Sequence, residues 1–365
     1  MANLIKEVNR LGQSIWLDYI RRNLITSGEL RRLVQDGISG LTSNPTIFHK
    51  AIAHSNDYDE ALKALLKIKP DADIDTIYEY LALEDIRMAA DILRPVYETS
   101  AGIDGFVSLE VSPHLAYDTE VTIAGARRLW RLVERPNLMI KVPATPQGIP
   151  AIETLTAEGI NVNATLMFSQ SHYEAVSQAY IRGIKRNPNP QQVASVASFF
   201  VSRVDTYTDR ELEGIRTEAA LALRGKAAIA NSKLVYKHSR EIFLGEEFAS
   251  ERKRGARIQR VLWGSTSTKN PEYPDALYVE ALIGPDTVNT LPLETINAFR
   301  DHGKVRQTLA EGLKEAEQVL AGLEKLGVDL ESITERLQRD GVKAFADSFD
   351  QLFEALTEKR KIYLA

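Results

Sequence analysis

A lysine inside an apolar run is the residue of this sequence whose setting most clearly indicates chemistry. Lys141 lies in segment 138–142 (LMIKV), where none of its neighbours carries a polar side chain. Lysine is seldom fully buried without a partner, and burial in an apolar environment disfavours the ammonium form. The free amine is a nucleophile toward carbonyl groups and can form a Schiff base. The local sequence also permits a lysine that reaches the rim of the fold or pairs with a carboxylate.

Two carboxylates near the ends of other apolar runs could move protons for such chemistry. Asp18 follows the run SIWL, and Glu110 lies within FVSLEV. Cleavage of a carbon–carbon bond through an imine requires a base for a hydroxyl proton, and a second group for the carbinolamine and imine steps. Either carboxylate could instead form an ordinary ion pair with a lysine or an arginine.

Further polar residues at the ends of apolar runs could bind a substrate. Asn163 and Thr165 are two residues apart, so in a strand they point to the same side. There they could hold a catalytic water or a substrate hydroxyl, or form a polar layer inside a barrel. Asn44 and Ser198 lie near the ends of two other runs.

Cationic and hydroxyl-bearing residues in the second half of the chain could bind a phosphate. Arginine matches phosphate through two parallel hydrogen bonds, which makes Arg203 a candidate. Lys269 ends a hydroxyl-rich segment that begins at Ser265. Barrel enzymes often bind phosphate near their last strands. Both cations could also be surface charges, and Lys269 alone indicates little.

The composition excludes several classes of site. The 365 residues are 44% hydrophobic and 26% charged, as is typical of a globular protein. The absence of cysteine rules out disulfides, zinc–thiolate centres, iron–sulfur clusters and thiol catalysis. The sequence contains no Walker A loop, no dinucleotide-binding glycine pattern, no HExxH metal motif and no Gly-x-Ser-x-Gly elbow. A net charge of −5 argues against a nucleic-acid or anionic-membrane surface.

The sequence also bears on location. No run of about 20 apolar residues is present, so we expect no transmembrane helix. The N-terminal residues lack the apolar core of a signal peptide. We therefore expect a cytoplasmic protein.

A recurring pattern predicts the fold class. Short β-branched apolar runs alternate with amphipathic helical stretches, the order of parallel strands joined by crossover helices. The runs are almost continuously apolar, as in strands covered on both faces. The pattern predicts an α/β fold, and eight units suggest a closed (β/α)8 TIM barrel. The predicted strands are 14–17, 40–42, 106–111, 138–142, 161–168, 194–201, 260–264 and 287–291.

The helical stretches between these strands are predicted at 76–99, 120–134, 147–158 and 169–184. The connections after Thr42 and Val201 each exceed 50 residues and predict inserted helices. We expect one domain over 1–365, with a barrel over about 1–292 and a C-terminal helical extension over about 293–365 that covers it. This cover could pack on its own barrel or support a dimer.

Four motifs in chain order resemble those of the transaldolase family. Segment 40–47 (GLTSNPTI) resembles the motif near the second strand, and 140–149 (IKVPATPQGI) resembles the motif around the Schiff-base lysine. Glu110 followed by 115–120 (LAYDTE) resembles the glutamate strand and its helix, and 159–169 (GINVNATLMFS) the strand with the catalytic threonine. The resemblance covers the chain from about 18 to 291 and supports the count of eight strands, of which the first two are weak alone.

The resemblance implies roles for the catalytic candidates. Lys141 would form the imine with a ketose phosphate, and Asp18 would take the C4 hydroxyl proton. Glu110, with Thr165 and a water, would serve the carbinolamine and imine steps. The predicted substrate-binding residues are Asn44 and Asn163 for the dihydroxyacetone unit, Ser198 for a further contact, and Arg203, Ser265 and Lys269 around the phosphate.

The implied reaction is transfer of a dihydroxyacetone unit between sugar phosphates of the pentose phosphate pathway. Donors would be sedoheptulose 7-phosphate or fructose 6-phosphate, and acceptors glyceraldehyde 3-phosphate or erythrose 4-phosphate. The family needs no metal or organic cofactor, and the enzyme would be a monomer or homodimer. Two alternatives stay open: an aldolase that releases free dihydroxyacetone from fructose 6-phosphate, and a catalytically silent barrel used as a scaffold.

The chain departs from the family pattern at the phosphate site. Ser202 stands where members often carry glycine, and Lys269 is the nearest counterpart of a second phosphate-binding arginine. A lysine binds phosphate as a point charge, without the fork of an arginine. The chain's length and inserted helices resemble those of the longer subfamily.

Overall fold

Eight parallel strands close into a barrel in chain order in the computed structural model of the protein, which describes residues 3–364. The closed parallel sheet confirms the predicted (β/α)8 fold, and each predicted strand overlaps an observed one. Strands β2, β7 and β8 have the predicted bounds, and the others differ by one residue at one or both ends. The strands are β1 Gln13–Asp18, β2 Gly40–Thr42, β3 Val107–Glu110, β4 Leu138–Pro143, β5 Val162–Met167, β6 Ser195–Phe200, β7 Arg260–Gly264 and β8 Thr287–Leu291.

Helices surround the barrel and account for the two long connections. Three helices join β2 to β3 and four join β6 to β7. The helices are α1 Leu4–Arg10, α2 Arg22–Thr26, α3 Glu29–Gln35, α4 Pro45–Ala53, α5 Asp59–Ile68, α6 Ile74–Thr99, α7 Thr119–Val133, α8 Gly148–Ala157, α9 Gln170–Arg186, α10 Ser202–Ile215, α11 Glu218–Leu221, α12 Ala227–Leu244, α13 Ala249–Lys253, α14 Leu277–Ala281, α15 Leu293–His302, α16 Leu313–Lys325 and α17 Leu330–Leu364.

Alternate residues of the strands fill the interior of the barrel. The lower part of this interior is a buried apolar cluster formed by Trp16, Phe106, Met139, Ala194, Val196, Leu262 and Val288. Trp16 lies opposite Gly40 in the β1–β2 register, and a Cβ at Gly40 would come within 2.4 Å of the indole. Because strand side chains alternate, Asp18, Glu110 and Lys141 share this inward face nearer the carboxyl ends of their strands.

Three helices follow β8, and they differ in position. Helix α15 contacts α1, and α16 packs against α12 on the outside of the barrel. Helix α17 contacts β5 as well as α4, α5, α6 and α10, so it lies across the carboxyl ends of the strands.

The sequence of α17 explains this placement. Leu337, Gly341, Phe345 and Phe349 recur every four residues and are buried, which gives the helix one apolar face. Charged residues such as Lys343 occupy the opposite face. Neither α17 nor any other helix within residues 3–364 combines the length and the apolar character needed to cross a bilayer.

Candidate active site

A cleft of about 530 Å³ opens at the carboxyl ends of the strands. In a parallel barrel these ends converge, and residues from different strands can act together there. Five residues predicted from sequence line the cleft: Asp18, Asn44, Arg203, Ser265 and Lys269. The remaining five, Glu110, Lys141, Asn163, Thr165 and Ser198, are buried on the adjoining strands β3 to β6.

Lys141 lies beside Glu110 in the register of β4 and β3. The side chains of Lys141 and Glu110 are 5% and 3% exposed, and Nζ of Lys141 is 3.2 Å from Oε2 of Glu110. Nζ also donates a hydrogen bond of 3.3 Å to the carbonyl of Ser43. The lysine therefore does not reach the rim; it is buried and paired, and its partner is one of the candidate proton-transfer groups.

Glu110 and Thr165 offer polar atoms that the surrounding protein leaves unsatisfied. Burial raises the pKa of Glu110, and the charge of Lys141 only partly opposes this. Within residues 3–364, neither carboxylate oxygen of Glu110 has a hydrogen bond of good geometry, so the pair with Lys141 rests on charge. Oγ1 of Thr165 is buried and lacks a partner within the same residues. Such atoms cost about 1–3 kcal/mol each, which a bound substrate could recover.

Asp18 ends β1 at the edge of the cleft. Its Oδ1 accepts a hydrogen bond of 2.7 Å from Oγ1 of Thr42, which also lies 2.6 Å from Oγ1 of Thr290. Burial raises the pKa of Asp18, and the charge of Lys141 and the Thr42 hydroxyl oppose the increase. The pKa values of both carboxylates are thus raised, and the two groups lie on different strands around the same amine.

Asn163 is held by a chain of hydrogen bonds across three strands. Its Nδ2 donates to Oγ of Ser108 at 3.0 Å, and its Oδ1 accepts from Oγ of Ser198 at 2.6 Å. Asn163 lies opposite Lys141 in the β4–β5 register. These hydrogen bonds fix the orientation of the Asn163 amide next to Lys141.

Asn44 forms the start of α4 as well as part of the cleft. Its Oδ1 accepts a hydrogen bond of 3.0 Å from the backbone N–H of Ile47, and Pro45 follows at the first helical position. Asparagine caps and first-position prolines are both favoured at helix starts. This cap uses the amide oxygen, so the NH2 group is the part of Asn44 available to a ligand.

The cationic wall of the cleft is formed by Arg203 and Lys269. Arg203 lies in the first turn of α10, half-buried, with its guanidinium 5.9 Å from the ring centre of Phe200. Desolvation and the nearby charge of Arg203 lower the pKa of Lys269, whose Nζ donates to Oγ of Ser267 at 2.7 Å. Two like charges and a helix N-terminus on one wall favour a bound anion.

Ser265 connects this wall to the barrel. Its Oγ lies 3.0 Å from Oγ of Ser202, and the Ser202 N–H donates to the Ser265 carbonyl at 3.0 Å. Ser265 has a φ of 54°, a backbone conformation uncommon for residues other than glycine. The loop after β7 is therefore fixed against Ser202, the first residue of α10, and Arg203 follows it in the same turn.

Helix α17 contributes residues to the site that the sequence motifs do not predict. Phe345 lines the cleft, with its ring centre 5.5 Å from Nζ of Lys141, and Phe200 lines the cleft from β6. The apolar stripe of α17 predicts a packed helix but does not indicate which strand ends it covers. Within residues 3–364, no three histidine, aspartate or glutamate side chains are grouped in a way that could hold a metal ion.

Comparison with known proteins agrees with the motifs found in the sequence. Residues 15–356 match the family model described as transaldolase/fructose-6-phosphate aldolase. The chain is 50% identical to a transaldolase of Thiobacillus denitrificans over 355 residues, which cover 96% of this chain and 98% of the relative. It is 44% identical to a transaldolase of Thermobifida fusca, over 98% of this chain and 99% of the relative. It is also 44% identical to a transaldolase 2 of a Nostoc species, over 99% and 98%. The chain belongs to the transaldolase/fructose-6-phosphate aldolase family.

Proposed function

We propose that the protein is a transaldolase that moves a dihydroxyacetone unit from a ketose phosphate to an aldose phosphate through a Schiff base on Lys141. The observation that carries this proposal is the position of the lysine. Its amine is buried 3.2 Å from a carboxylate, beside a cleft with a cationic wall. An amine in this setting is a nucleophile toward the carbonyl of a phosphorylated ketose.

The first step forms the imine. Nζ of Lys141 adds to the C2 carbonyl of the ketose and gives a carbinolamine. Glu110 donates a proton to the departing hydroxyl group, which leaves as water, and the C2–N bond becomes an iminium. The raised pKa of Glu110 suits a proton donor, because a buried carboxyl holds its proton at a higher pH. The free hydroxyl of Thr165 binds the water or the hydroxyl group during this exchange.

The second step breaks the carbon–carbon bond. The carboxylate of Asp18 takes the proton of the C4 hydroxyl, the C3–C4 bond breaks, and the aldose phosphate leaves as an aldehyde. The electron pair of the broken bond moves toward the iminium nitrogen and leaves an enamine on Lys141. Thr42 holds the Asp18 carboxylate in place for this step.

Transfer reverses these steps on a second aldose phosphate. The enamine carbon attacks the aldehyde of the acceptor, and Asp18 returns its proton to the new C4 hydroxyl. Water then adds to the iminium with help from Glu110, and the new ketose phosphate leaves. The chain's own residues supply each proton acceptor and donor in this sequence.

The remaining predicted residues hold the substrate. Asn44, Asn163 and Ser198 bind the hydroxyls of the dihydroxyacetone unit. The phosphate lies against Arg203 and Lys269, with Ser265 near them. Donors are sedoheptulose 7-phosphate or fructose 6-phosphate, as the resemblance implies.

Trapping the imine tests this proposal. The protein is incubated with fructose 6-phosphate and borohydride, and the reduced adduct is located by peptide mass spectrometry. We expect a three-carbon adduct on Lys141, none in Lys141→Arg, whose guanidinium stays charged, and a normal adduct in Lys343→Arg on the exposed face of α17. An adduct-free Lys141 in folded wild-type protein with excess substrate would refute the assignment and favour the scaffold alternative.

We further propose that the whole chain, 1–365, acts as one domain, because α17 covers the strand ends that carry the site. Within the C-terminal extension expected over about 293–365, we assign the covering role to the last helix, α17. A role in sugar-phosphate metabolism fits a cytoplasmic location and small-molecule partners rather than nucleic acid.

A further inference from the structure

Phe345 is the residue of the C-terminal helix that lies over the reactive amine. Its ring centre is 5.5 Å from Nζ of Lys141, and the residue is 5% exposed. The same ring lines the cleft, whereas Lys141 does not contribute to the cleft's lining. Phe345 therefore borders both the lysine and the open space of the cleft.

Helix α17 is fixed to the strand ends on one side of Phe345. Nε2 of Gln338 donates hydrogen bonds of 3.0 Å to the carbonyls of Ala144 and Leu166, at the ends of β4 and β5. Gly341 allows the helix to come close to β5, since a Cβ there would lie 3.0 Å from a methyl group of Leu166.

The helix is also fixed on the other side of Phe345. Oγ of Ser348 lies 2.8 Å from Oγ1 of Thr46, in the first turn of α4. Phe349 packs 5.4 Å from the ring of Tyr78 on α6. With contacts on both sides, the Phe345 ring is held over Lys141 as a fixed wall of the site.

We propose that Phe345 decides how the enamine on Lys141 divides between transfer and release, because its ring keeps water from the intermediate. This inference rests on the proposed function. The enamine carbon can attack an acceptor aldehyde, or it can take a proton from water. In the second case the iminium that results adds water and its C–N bond breaks. Free dihydroxyacetone then leaves, Lys141 regains its amine, and the overall reaction is the aldol cleavage of the donor.

The geometry supports two contributions of the ring. It fills space that would otherwise hold about three water molecules, at about 30 Å³ each. Its face also lies within the roughly 6 Å over which an aromatic ring attracts a cation, so it stabilises the positively charged iminium. The first effect favours a long-lived enamine that waits for an acceptor, and the second favours the iminium from which the C3–C4 bond breaks.

Two substitutions at this position test the role of the ring. Phe345→Ala removes it, and Phe345→Leu keeps an apolar side chain without the aromatic face. The matched control is Phe353→Ala, two turns further along α17, where the ring packs on Phe349 and Tyr78 and has no contact with Lys141. For each variant, dihydroxyacetone release from fructose 6-phosphate is measured without acceptor. Sedoheptulose 7-phosphate formation is measured with erythrose 4-phosphate.

The measured quantity is the ratio of release to transfer. We expect the ratio of release to transfer to rise about tenfold or more in Phe345→Ala, about threefold in Phe345→Leu and less than twofold in Phe353→Ala. A tenfold change corresponds to the loss of one strong interaction from a reaction barrier. An unchanged ratio in Phe345→Ala would overturn the inference, and so would an equal increase in Phe353→Ala, which would indicate a loosened helix. If Phe345→Ala does not fold, the same test rests on Phe345→Leu.

Borohydride trapping separates this inference from the proposed function. An unmodified Lys141 in the wild-type protein would refute the Schiff-base function, and the role of Phe345 with it. A normal adduct in the wild type and in Phe345→Ala, together with an unchanged ratio, would refute the role of Phe345 alone.

Discussion

Replacement of Gln338 by methionine tests whether the C-terminal helix positions a catalytic residue. Gln338 donates to the carbonyls of Ala144 and Leu166, and the N–H of Ala144 donates to the carbonyl of Thr165. Leu166 has a φ of 63°, in the left-handed region that is unfavourable for a branched side chain. The register between β5 and β6 shifts at this point. Gln338 thus holds an irregular strand end directly beside Thr165.

The expected magnitude follows from these contacts. Gln338→Met keeps the volume of the side chain but removes a donor shared by two carbonyls. An unsatisfied buried acceptor costs about 1–3 kcal/mol, so we expect a loss of about 2–6 kcal/mol in the free energy of unfolding. Relaxation of Leu166, whose conformation stores about 1–3 kcal/mol, would also displace Thr165. A displacement of about 1 Å can cost on the order of a hundredfold in rate, so we expect kcat to fall about 10- to 100-fold.

The assay separates positioning from general loss of stability. We expect kcat to fall with KM changed little, because Arg203 and Lys269 lie on the other wall of the cleft. The rate of borohydride-trapped adduct formation should fall with kcat, since Thr165 serves the imine step. Gln351→Met, an exposed position on the same helix, is the control. A Gln338→Met variant with kcat within twofold of wild type would refute the positioning role. So would lower stability with an unchanged rate of adduct formation.

Two further predictions concern the phosphate wall and a buried carboxyl. Arg203→Ala should raise KM for phosphorylated sugars far more than for unphosphorylated ones, and equal effects on both sugars would exclude a phosphate contact. The increase should exceed that of Lys269→Ala, because an arginine binds phosphate through two parallel hydrogen bonds and a lysine only as a point charge. Asp205 accepts hydrogen bonds from the Ala228 N–H and the Tyr278 hydroxyl, and burial raises its pKa to about 7 from 3.8. The contribution of protonated Asp205 to the free energy of unfolding is fully present below pH 3.8 and is lost as the pH rises through 7. The free energy of unfolding of Asp205→Asn in urea should therefore equal that of the wild type near pH 4 and exceed it by up to about 4 kcal/mol near pH 8. A constant difference across that range would contradict the raised pKa of Asp205.

Much of the fold and part of the site could be predicted from local sequence. Buried parallel strands leave short apolar runs between helical segments, and these runs lie within one residue of the observed strands at each end. The polar residues near the ends of the runs converge because all strands point the same way. The sequence therefore predicts Asp18, Glu110 and Lys141 at one end of the barrel, and they lie at the carboxyl ends of β1, β3 and β4.

The local sequence could not settle the setting of Lys141 or the role of α17. A lysine in an apolar strand has the same neighbours in sequence whether it pairs with a carboxylate or stands alone. Its pairing with Glu110 depends on the β3–β4 register. Phe345 and Gln338 lie about 200 residues from Lys141, and their helix has only an ordinary apolar stripe. The partner of such a stripe is fixed by packing between distant segments, which periodicity does not encode.

The surroundings of Lys141 explain why the pKa values of the neighbouring carboxylates, Asp18 and Glu110, are raised. Trp16, Phe106 and Met139 exclude water from the barrel interior below Lys141, and the ring of Phe345 covers Lys141 from above. Charges interact more strongly in such an environment than in water. Desolvation is the largest influence on both Asp18 and Glu110, and in each case it outweighs the opposing charge of the lysine. The same burial therefore raises both pKa values and strengthens every contact with a developing charge. From this we infer that α17 contributes to catalysis by excluding water from the surroundings of Lys141. Substitutions that admit water there should lower the pKa of Asp18 and of Glu110 together.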